Sequence, residues 1–223
     1  MDEGLLRTII LFATKSSEEA KNYIDNQSKE IITALFVNLL GVYMNDKNSS
    51  TLREKITLAL AGYSSTDRKL GYDGYKVAGN KKIPCEVKPQ NIDAENNRRI
   101  KNPRKHNGGG NFTDYTFARF EKDKKENPNM LVSGFVDRKL LFIIEFPFAF
   151  EHFANKLERQ LKKHFPSGDV EGRYLRSATF NFADYSACTN IKSVYLNEKA
   201  LAEHKSEFTK KFYDFVFSLK KSV

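Results

Sequence analysis

The sequence predicts an α/β fold, a single domain in which a mixed β-sheet carries helices on both sides. Apolar residues recur with helical spacing in the first part of the chain and again in its last third. Between these parts lie short strand-like runs separated by turn residues. Of the 223 residues, 40% are hydrophobic and 29% are charged, which is typical of a folded globular protein.

Residues 1–62 are predicted to form a helical N-terminal part. From Ser28 to Met44, apolar residues follow one helical face, which predicts a core helix. The residues on this face are Ile31, Ile32, Leu35, Phe36, Leu39, Leu40 and Tyr43. Turn formers follow, and we expect Ser50 or Thr51 to cap a second helix, LREKITLALAGY, that ends near Gly62.

Residues 70–185 are predicted to form the sheet core. The runs YDGYKV and IPCEVK, joined by AGNKK, predict a β-hairpin. Because proline has no N–H to donate to a sheet, we expect Pro84 at the start of its strand or on an edge. The run NMLVSGFVDRKLLFIIEF predicts two strands that turn at Asp137 and Arg138, and RYLRSATFNF predicts another strand.

Three further helices are predicted around these strands. TDYTFARFEKDKK is expected to be helical, with Thr113 as its N-terminal cap. FAFEHFANKLERQLKKHF places its apolar residues on one stripe, which is typical of a helix packed on a sheet. Residues 195–221 are expected to contain a C-terminal helix, with Lys220 and Lys221 at the negative end of its dipole.

Residues 91–111, NIDAENNRRIKNPRKHNGGGN, are predicted to form a long basic loop or mobile arm. The segment has almost no apolar side chains, and its three consecutive glycines leave the backbone unusually free. Lysine and arginine contact phosphates, and arginine and asparagine also bond base edges. A solvated loop without a partner is the alternative interpretation. The candidate DNA-binding residues in and around the segment are Arg98, Arg99, Lys101, Arg104, Lys105, Asn107, Asn111, Thr113 and Arg119.

The overall charge favours an anionic partner. The chain has 37 Lys and Arg against 28 Asp and Glu, and its formal net charge of +9 favours association with nucleic acid or with an acidic membrane surface. No run approaches the roughly 20 apolar residues that a membrane-spanning helix needs. We therefore expect no membrane association.

Several other classes lack support. The two cysteines, Cys85 and Cys188, have no metal-binding or redox spacing, which argues against a disulfide framework and a structural zinc site. The N-terminus has acids where a signal peptide needs basic residues, so we expect a reducing, cytoplasmic location. The four histidines form no pair at metal-ligand spacing, and the glycine run lacks the Lys-Ser/Thr of a phosphate loop.

The hairpin is the strongest candidate for chemistry. In a strand, alternate side chains share a face, so Glu86 and Lys88 are predicted to point one way while Cys85 and Val87 point the other. If the preceding strand brings Asp73 alongside, two carboxylates and one ammonium group converge. Carboxylate oxygens suit Mg²⁺, and a metal so placed can activate water for attack on a phosphodiester. The alternative is an ordinary solvated strand face.

Asp73 followed by CEVK, with Glu86 and Lys88, resembles the PD-(D/E)xK motif of the restriction-endonuclease-like nuclease superfamily. Tyr72 stands where the motif has proline. The resemblance implies a restriction-endonuclease-like core and Mg²⁺-dependent cleavage of phosphodiesters. It also implies that Asp73 and Glu86 bind the metal and that Lys88 positions the attacking water.

Two further residues enter through this resemblance. Glu54, on a helix before the motif, matches an additional acidic position of the family and is a candidate catalytic residue. Gln90 follows the motif lysine at a position that is often polar, and we group it with the DNA-binding residues.

The function predicted on this basis is that of a type II restriction endonuclease acting on double-stranded DNA. Helicase and methyltransferase motifs are not found, which indicates a stand-alone enzyme, and cleavage of both strands of a symmetric site suits a homodimer. Two alternatives stay open. One is a structure-specific repair nuclease or junction resolvase, and the other is a DNA-binding protein without catalytic activity.

Overall fold

A computed structural model describes residues 3–45, 50–66 and 71–219. The helices in these ranges are α1 (Glu3–Thr14), α2 (Ser17–Asp25), α3 (Lys29–Asn45), α4 (Thr51–Leu60), α5 (Ala94–Asn97), α6 (Phe117–Glu126), α7 (Glu151–His164), α8 (Glu198–Glu203) and α9 (Lys210–Ser218). The strands are β1 (Ser64–Ser65), β2 (Gly74–Ala78), β3 (Lys81–Ile92), β4 (Gly110–Tyr115), β5 (Asn129–Val136), β6 (Lys139–Pro147), β7 (Leu175–Phe180) and β8 (Lys192–Leu196).

The main sheet has six strands in the order β1-β2-β3-β5-β6-β8. β3 and β5 are parallel and the other neighbours are antiparallel, so the sheet is mixed, as predicted. A second, antiparallel sheet contains only β4 and β7. The hairpin prediction is confirmed, and so is the turn between β5 and β6, where Asp137 and Arg138 both have positive φ as a tight hairpin turn requires.

Strand β3 changes partner in its middle. Its first part, through Cys85, pairs with β2, whereas its second part, from Cys85 onward, pairs with β5. The carbonyl of Cys85 points to the β2 side, where it accepts the N–H of Asp73. Because successive residues of a strand turn their backbone groups to alternate sides, the nitrogen of Pro84 points toward β5 and that of Pro89 points toward β2. β5 begins after the level of Pro84, and β2 does not reach the level of Pro89. Both prolines therefore lie where a missing N–H costs the sheet nothing, which confirms the expectation for Pro84.

Two hydrophobic cores lie on the two faces of the sheet. One joins α1 and α4 to the face that carries Cys85 and Val87. The other is rich in phenylalanine and joins α6, α7, α9 and the small sheet to the opposite face. Phe153 in α7, for example, makes edge-on ring contacts with Phe146 and Phe148. Helices thus cover both faces, as the sequence predicts for an α/β domain.

The prediction of a core helix from Ser28 to Met44 is wrong in one respect. The helix forms as α3, but the apolar side chains that the structure describes, from Ile31 to Leu40, are largely exposed, with Phe36 and Val37 more than half accessible. Helical spacing reports which residues share a face, whereas the presence of a surface to bury that face depends on the rest of the fold. Ser50, one of the two predicted caps of the next helix, stands at the N-cap position of α4, but its side chain makes no capping hydrogen bond there.

Other boundaries differ from the prediction. Residues 110–115 form β4, so the helix predicted from Thr113 begins at Phe117, and its cap is Thr116, whose hydroxyl accepts from the amide of Arg119. The sheet extends beyond residues 70–185, since it includes β1 and β8. Residues 195–209 comprise the end of β8, α8 and a short 3-10 helix before α9, and Lys220 and Lys221 lie outside the described residues.

Across the described residues, none of the helices has the length and apolar character needed to cross a membrane.

Candidate active site

Asp73 lies at the point where β3 exchanges one neighbour for the other. Its backbone N–H donates to the carbonyl of Cys85 over 3.1 Å, and its Oδ2 accepts the backbone N–H of Val87 over 2.7 Å. The carboxylate thus takes the place of the next carbonyl of β2, which would otherwise have paired with that amide. The fold therefore fixes the Asp73 side chain beside the middle of β3.

Glu86 and Lys88 share one face of β3 while Cys85 and Val87 belong to the core on the other face, as predicted. Glu86 is buried, with 8% of its surface exposed. Lys88 Nζ lies 2.8 Å from Glu86 Oε1 and 4.8 Å from the centre of the Phe112 ring. The ammonium group is therefore held between a carboxylate and an aromatic face, both of which stabilise a cation.

Arg119 occupies the other oxygen of Glu86. Its NH2 group lies 3.4 Å from Glu86 Oε2, and its Nε donates to Asp123 Oδ1 over 2.8 Å. Asp123 is itself buried and accepts from the Tyr115 hydroxyl over 2.9 Å. A connected series of Tyr115, Asp123 and Arg119 thus fixes the guanidinium against Glu86. Arg119 was predicted to bind DNA, and its position adjoins the carboxylates instead of the basic segment.

Tyr72, which stands where the motif has proline, also contributes to this cluster. Its ring lies 5.6 Å from the guanidinium carbon of Arg119 and 5.3 Å from Lys122 Nζ. Two cations on one aromatic ring gain from the negative face of the π-system. The departure from the motif therefore adds a surface that supports Arg119.

The burial and charge of the cluster change the pKa of Asp73. Burial, together with the charge of Glu86, raises the pKa of Asp73 from 3.8 to about 7, although Lys88 and the Val87 amide oppose the shift. Glu54, in the first turn of α4, adds a smaller contribution in the same direction. The role of Glu54 as an additional acidic residue of the site stays a prediction.

The donor set suits Mg²⁺. A divalent cation beside Asp73 and Glu86 would offset the repulsion that disfavours the charged form of Asp73, and Mg²⁺ is commonly bound through one or two carboxylates while it keeps several waters. Asp73 and Glu86 are the residues that would hold it. In the parts of the chain that the structure describes, no group of three or more His, Cys, Asp or Glu side chains is arranged to hold a metal ion.

Residues 98–109 form a loop, which was one of the two predictions for the basic segment, but the other prediction, a mobile arm, is wrong for its glycines. Gly108 and Gly109 are buried, and a Cβ on Gly110 would come within 2.9 Å of the Cβ of Lys88 and 2.8 Å of the Phe180 ring. A side chain does not fit at this approach. The glycines let the backbone pass close to β3 and α9 and so enclose Lys88.

The rest of residues 91–111 is also tied down. Asn91 and Ile92 belong to β3, and α5 follows. His106 is buried, its Nε2 lies 3.0 Å from the carbonyl oxygen of Phe135, and burial lowers its pKa to about 4. The backbone N–H of His106 donates to the backbone carbonyl of Glu207 over 2.7 Å. Exposed side chains therefore project from a backbone that is anchored at several points.

The predicted DNA-binding residues fall into two groups. Gln90 and Asn107 hydrogen-bond each other at 3.3 Å, and Asn107 also accepts from the amide of Gly109, so these amides support the segment. Asn111 donates to Ser177 across the small sheet. The residues with exposed side chains are Arg98, Arg99, Lys101, Arg104, Lys105, Asn111 and Thr113.

Sequence reasoning missed Asp123, Tyr115 and Phe112. The spacing of Arg119 and Asp123, four residues apart on one helix, was a usable signal for an ion pair. Tyr115 and Phe112 gave no such signal, because β4 brings them to the site only through the second sheet.

The chain matches none of the known protein-family models, and a search of curated proteins finds none that matches it. The geometry of Asp73, Glu86, Lys88 and Arg119 in a mixed α/β sheet is therefore the basis on which function is assigned.

Proposed function

We propose that this protein is a Mg²⁺-dependent endonuclease that hydrolyses phosphodiester bonds of double-stranded DNA, with a restriction-endonuclease-like core. The observation that carries the proposal is the buried pair of Asp73 and Glu86 beside Lys88, in which the pKa of Asp73 rises to about 7. Such an arrangement destabilises the fold and is typical of functional sites.

Each residue has a defined role in the reaction. Asp73 and Glu86 would hold Mg²⁺, which would supply polarisation of a phosphate oxygen and a more acidic bound water. Lys88, fixed by Glu86 and Phe112, orients the attacking water. The water oxygen forms a bond to phosphorus and gives up a proton to solvent, the bond from phosphorus to one sugar oxygen breaks, and that oxygen takes up a proton from solvent. Arg119 holds Glu86 in orientation.

The exposed cations of the basic segment supply the surface for the DNA backbone. The segment leaves from the end of β3 and returns at Gly110 beside Lys88, so Lys101, Arg104 and Lys105 project from a backbone connected at both ends to the site. Phosphate contacts of this kind position a duplex without reading its sequence. We propose that they place a phosphodiester against Glu86 and Lys88, and that the enzyme acts in the cytoplasm as a type II restriction endonuclease.

The test is a plasmid digest with and without Mg²⁺, using Glu86→Gln and Lys88→Ala. We expect discrete fragments from the wild type only with Mg²⁺ and no cleavage by either variant, while DNA binding is largely kept. Lys82→Ala is a matched control, because Lys82 lies on the same strand and is exposed. It should cleave like the wild type.

The outcomes separate this proposal from its alternatives. Full Mg²⁺-dependent cleavage by both Glu86→Gln and Lys88→Ala would refute the roles proposed for these two residues. Cleavage restricted to branched or mismatched DNA would indicate a structure-specific nuclease. Salt-sensitive binding without any metal-dependent product would indicate a DNA-binding protein without catalytic activity.

A further inference from the structure

Helix α3 carries apolar residues around its whole circumference, and its described side chains, from Lys29 to Leu40, are mostly uncovered. It spans 17 residues, and from Ile31 to Asn45 none of them is charged. α1 is the element with which its contacts concentrate. A helix that is hydrophobic all round is normally buried, and a contiguous apolar patch marks a place of association.

The exposed surface is large enough for a small interface. Phe36 and Val37 are 58% and 59% exposed, and Ile31, Ile32 and Leu40 are 47%, 39% and 42% exposed. Ile32, Phe36, Val37 and Leu40 lie on one side of the helix, spread over about 140° of its circumference, whereas Ile31 lies on the other side. With about 70–100 Å² for each of these four side chains, this face offers roughly 280–400 Å² per copy. Two copies would bury about 560–800 Å² through these side chains alone, which is the size of a small and weak interface.

The absence of charge along α3 after Glu30 favours a second copy of the chain over a nucleic acid as its partner. The chain carries a net charge of +9, so two copies repel each other across most of their surface. The uncharged length of α3 lets a second copy approach without placing like charges together. Lys29 and Glu30 at its start have opposite signs, so that this end is also neutral. A nucleic acid, by contrast, gains nothing from such a surface.

We propose that α3 is a homodimerisation surface, on which the α3 helix of a second copy packs in a two-fold symmetric interface. In such an interface the same apolar patch serves both subunits. The surface is separate from the candidate active site, because α1, with which α3 is in contact, packs on the sheet face opposite to Glu86 and Lys88. The proposal does not depend on the nuclease activity, and the two can fail independently.

The experiment measures mass by sedimentation over a wide range of concentrations. Wild type is expected at twice the chain mass, and the double variant Phe36→Glu/Val37→Glu at the mass of one chain. Val170→Glu is the matched control, since Val170 is 47% exposed in the connection between α7 and β7 and should not affect dimerisation. A second variant, Ile32→Ala/Phe36→Ala, removes contact area without adding charge and should raise the dimer dissociation constant at least tenfold.

Monomeric wild type at every concentration would overturn the proposal. So would a dimer that both α3 variants leave unchanged, because the interface would then lie elsewhere. A third arm uses vesicles of phosphatidylcholine and phosphatidylglycerol. Binding of monomeric wild type to them, lost in Phe36→Glu/Val37→Glu, would assign α3 to a membrane surface instead of a second copy.

Discussion

Replacing Asp73 by asparagine should stabilise the metal-free protein at neutral and alkaline pH. The native pKa of Asp73 is about 7, whereas the unfolded chain ionises near 3.8. Between these values the native state holds a proton that the unfolded state has lost. Stability therefore falls as pH rises from about 3.8 to 7 and stays low above that range. Asparagine carries no charge, yet its side-chain oxygen can still accept the N–H of Val87.

The size of the effect follows from the difference between the two pKa values. Each pKa unit corresponds to about 1.4 kcal/mol, so ionisation of Asp73 costs the native state up to roughly 4 kcal/mol above pH 7. At about pH 4.5 the cost is roughly 1 kcal/mol. The advantage of Asp73→Asn over the wild type should therefore grow by about 3 kcal/mol between these conditions. For a chain of this length that corresponds to about 6–12 °C in Tm.

The assay is thermal or urea unfolding in a metal chelator at about pH 4.5 and about pH 8. Asp214→Asn is the matched control, because Asp214 is exposed in α9 and its replacement removes the same charge. Its difference from the wild type should stay the same at both pH values. The reasoning is refuted if Asp73→Asn is no more stable than the wild type at pH 8, or if its advantage does not change with pH.

Addition of Mg²⁺ should stabilise the wild type more than Asp73→Asn. A cation bound at 100 times its Kd stabilises the native state by about 2.7 kcal/mol, provided that it binds only the folded protein. The wild type should gain this stability, and Asp73→Asn should gain little of it. An equal gain in both proteins would place the metal elsewhere.

Three further predictions concern groups around the site. Arg119→Ala should slow single-turnover cleavage by about 10–100-fold, because the guanidinium that holds Glu86 Oε2 is lost. Lys101→Ala/Arg104→Ala should reduce by about 2 the slope of log binding constant against log salt concentration, measured by fluorescence anisotropy with a DNA duplex. The pKa of His106 falls from 6.5 to about 4, so the native state resists a proton that the unfolded chain accepts. In urea titrations, the free energy of unfolding of the wild type should therefore rise by roughly 3 kcal/mol between about pH 4 and 6.5. His106→Gln should lack this rise.

Each of these has a control and a contrary result. Arg119→Lys keeps a positive charge without the planar fork and should recover only part of the rate, whereas wild-type rates in Arg119→Ala would contradict the role of the arginine. Lys163→Ala/Lys199→Ala, which removes two exposed lysines from α7 and α8, should leave the salt slope unchanged. For His106, an unchanged pH slope in His106→Gln would show that another group carries it.

Local patterns were sufficient for most of the elements. Periodicity placed α7 and the β2–β3 hairpin, and alternation on β3 placed Glu86 and Lys88 together, because these features depend on neighbours in the chain. The turn at Asp137 and Arg138 was equally local. The prolines of β3 were informative too, since the absence of an N–H limits where a strand can pair.

The failures all concern long-range contacts. Pairing of β4 with β7 across some 60 residues turned a predicted helix start into a strand, as tertiary pairing overrides local propensity. The glycines that lead into β4 were interpreted as a sign of a flexible backbone. Close packing explains them instead, as at Gly110, which lies against Lys88 and Phe180. The exposure of α3 and the contact of Arg119 with Glu86 likewise depend on how distant elements meet, which spacing along one helix does not determine.

The bond from the Val87 amide to Asp73 gives the site an internal reporter. This amide belongs to the backbone of the central strand, but its partner is a titrating carboxylate instead of a carbonyl. Its nitrogen and proton resonances should therefore follow the charge of Asp73, and the solvent exchange of that one amide should change as the carboxylate gains a proton or a cation. A single peak in a nitrogen–proton spectrum thus monitors the state of the candidate catalytic group without any substrate.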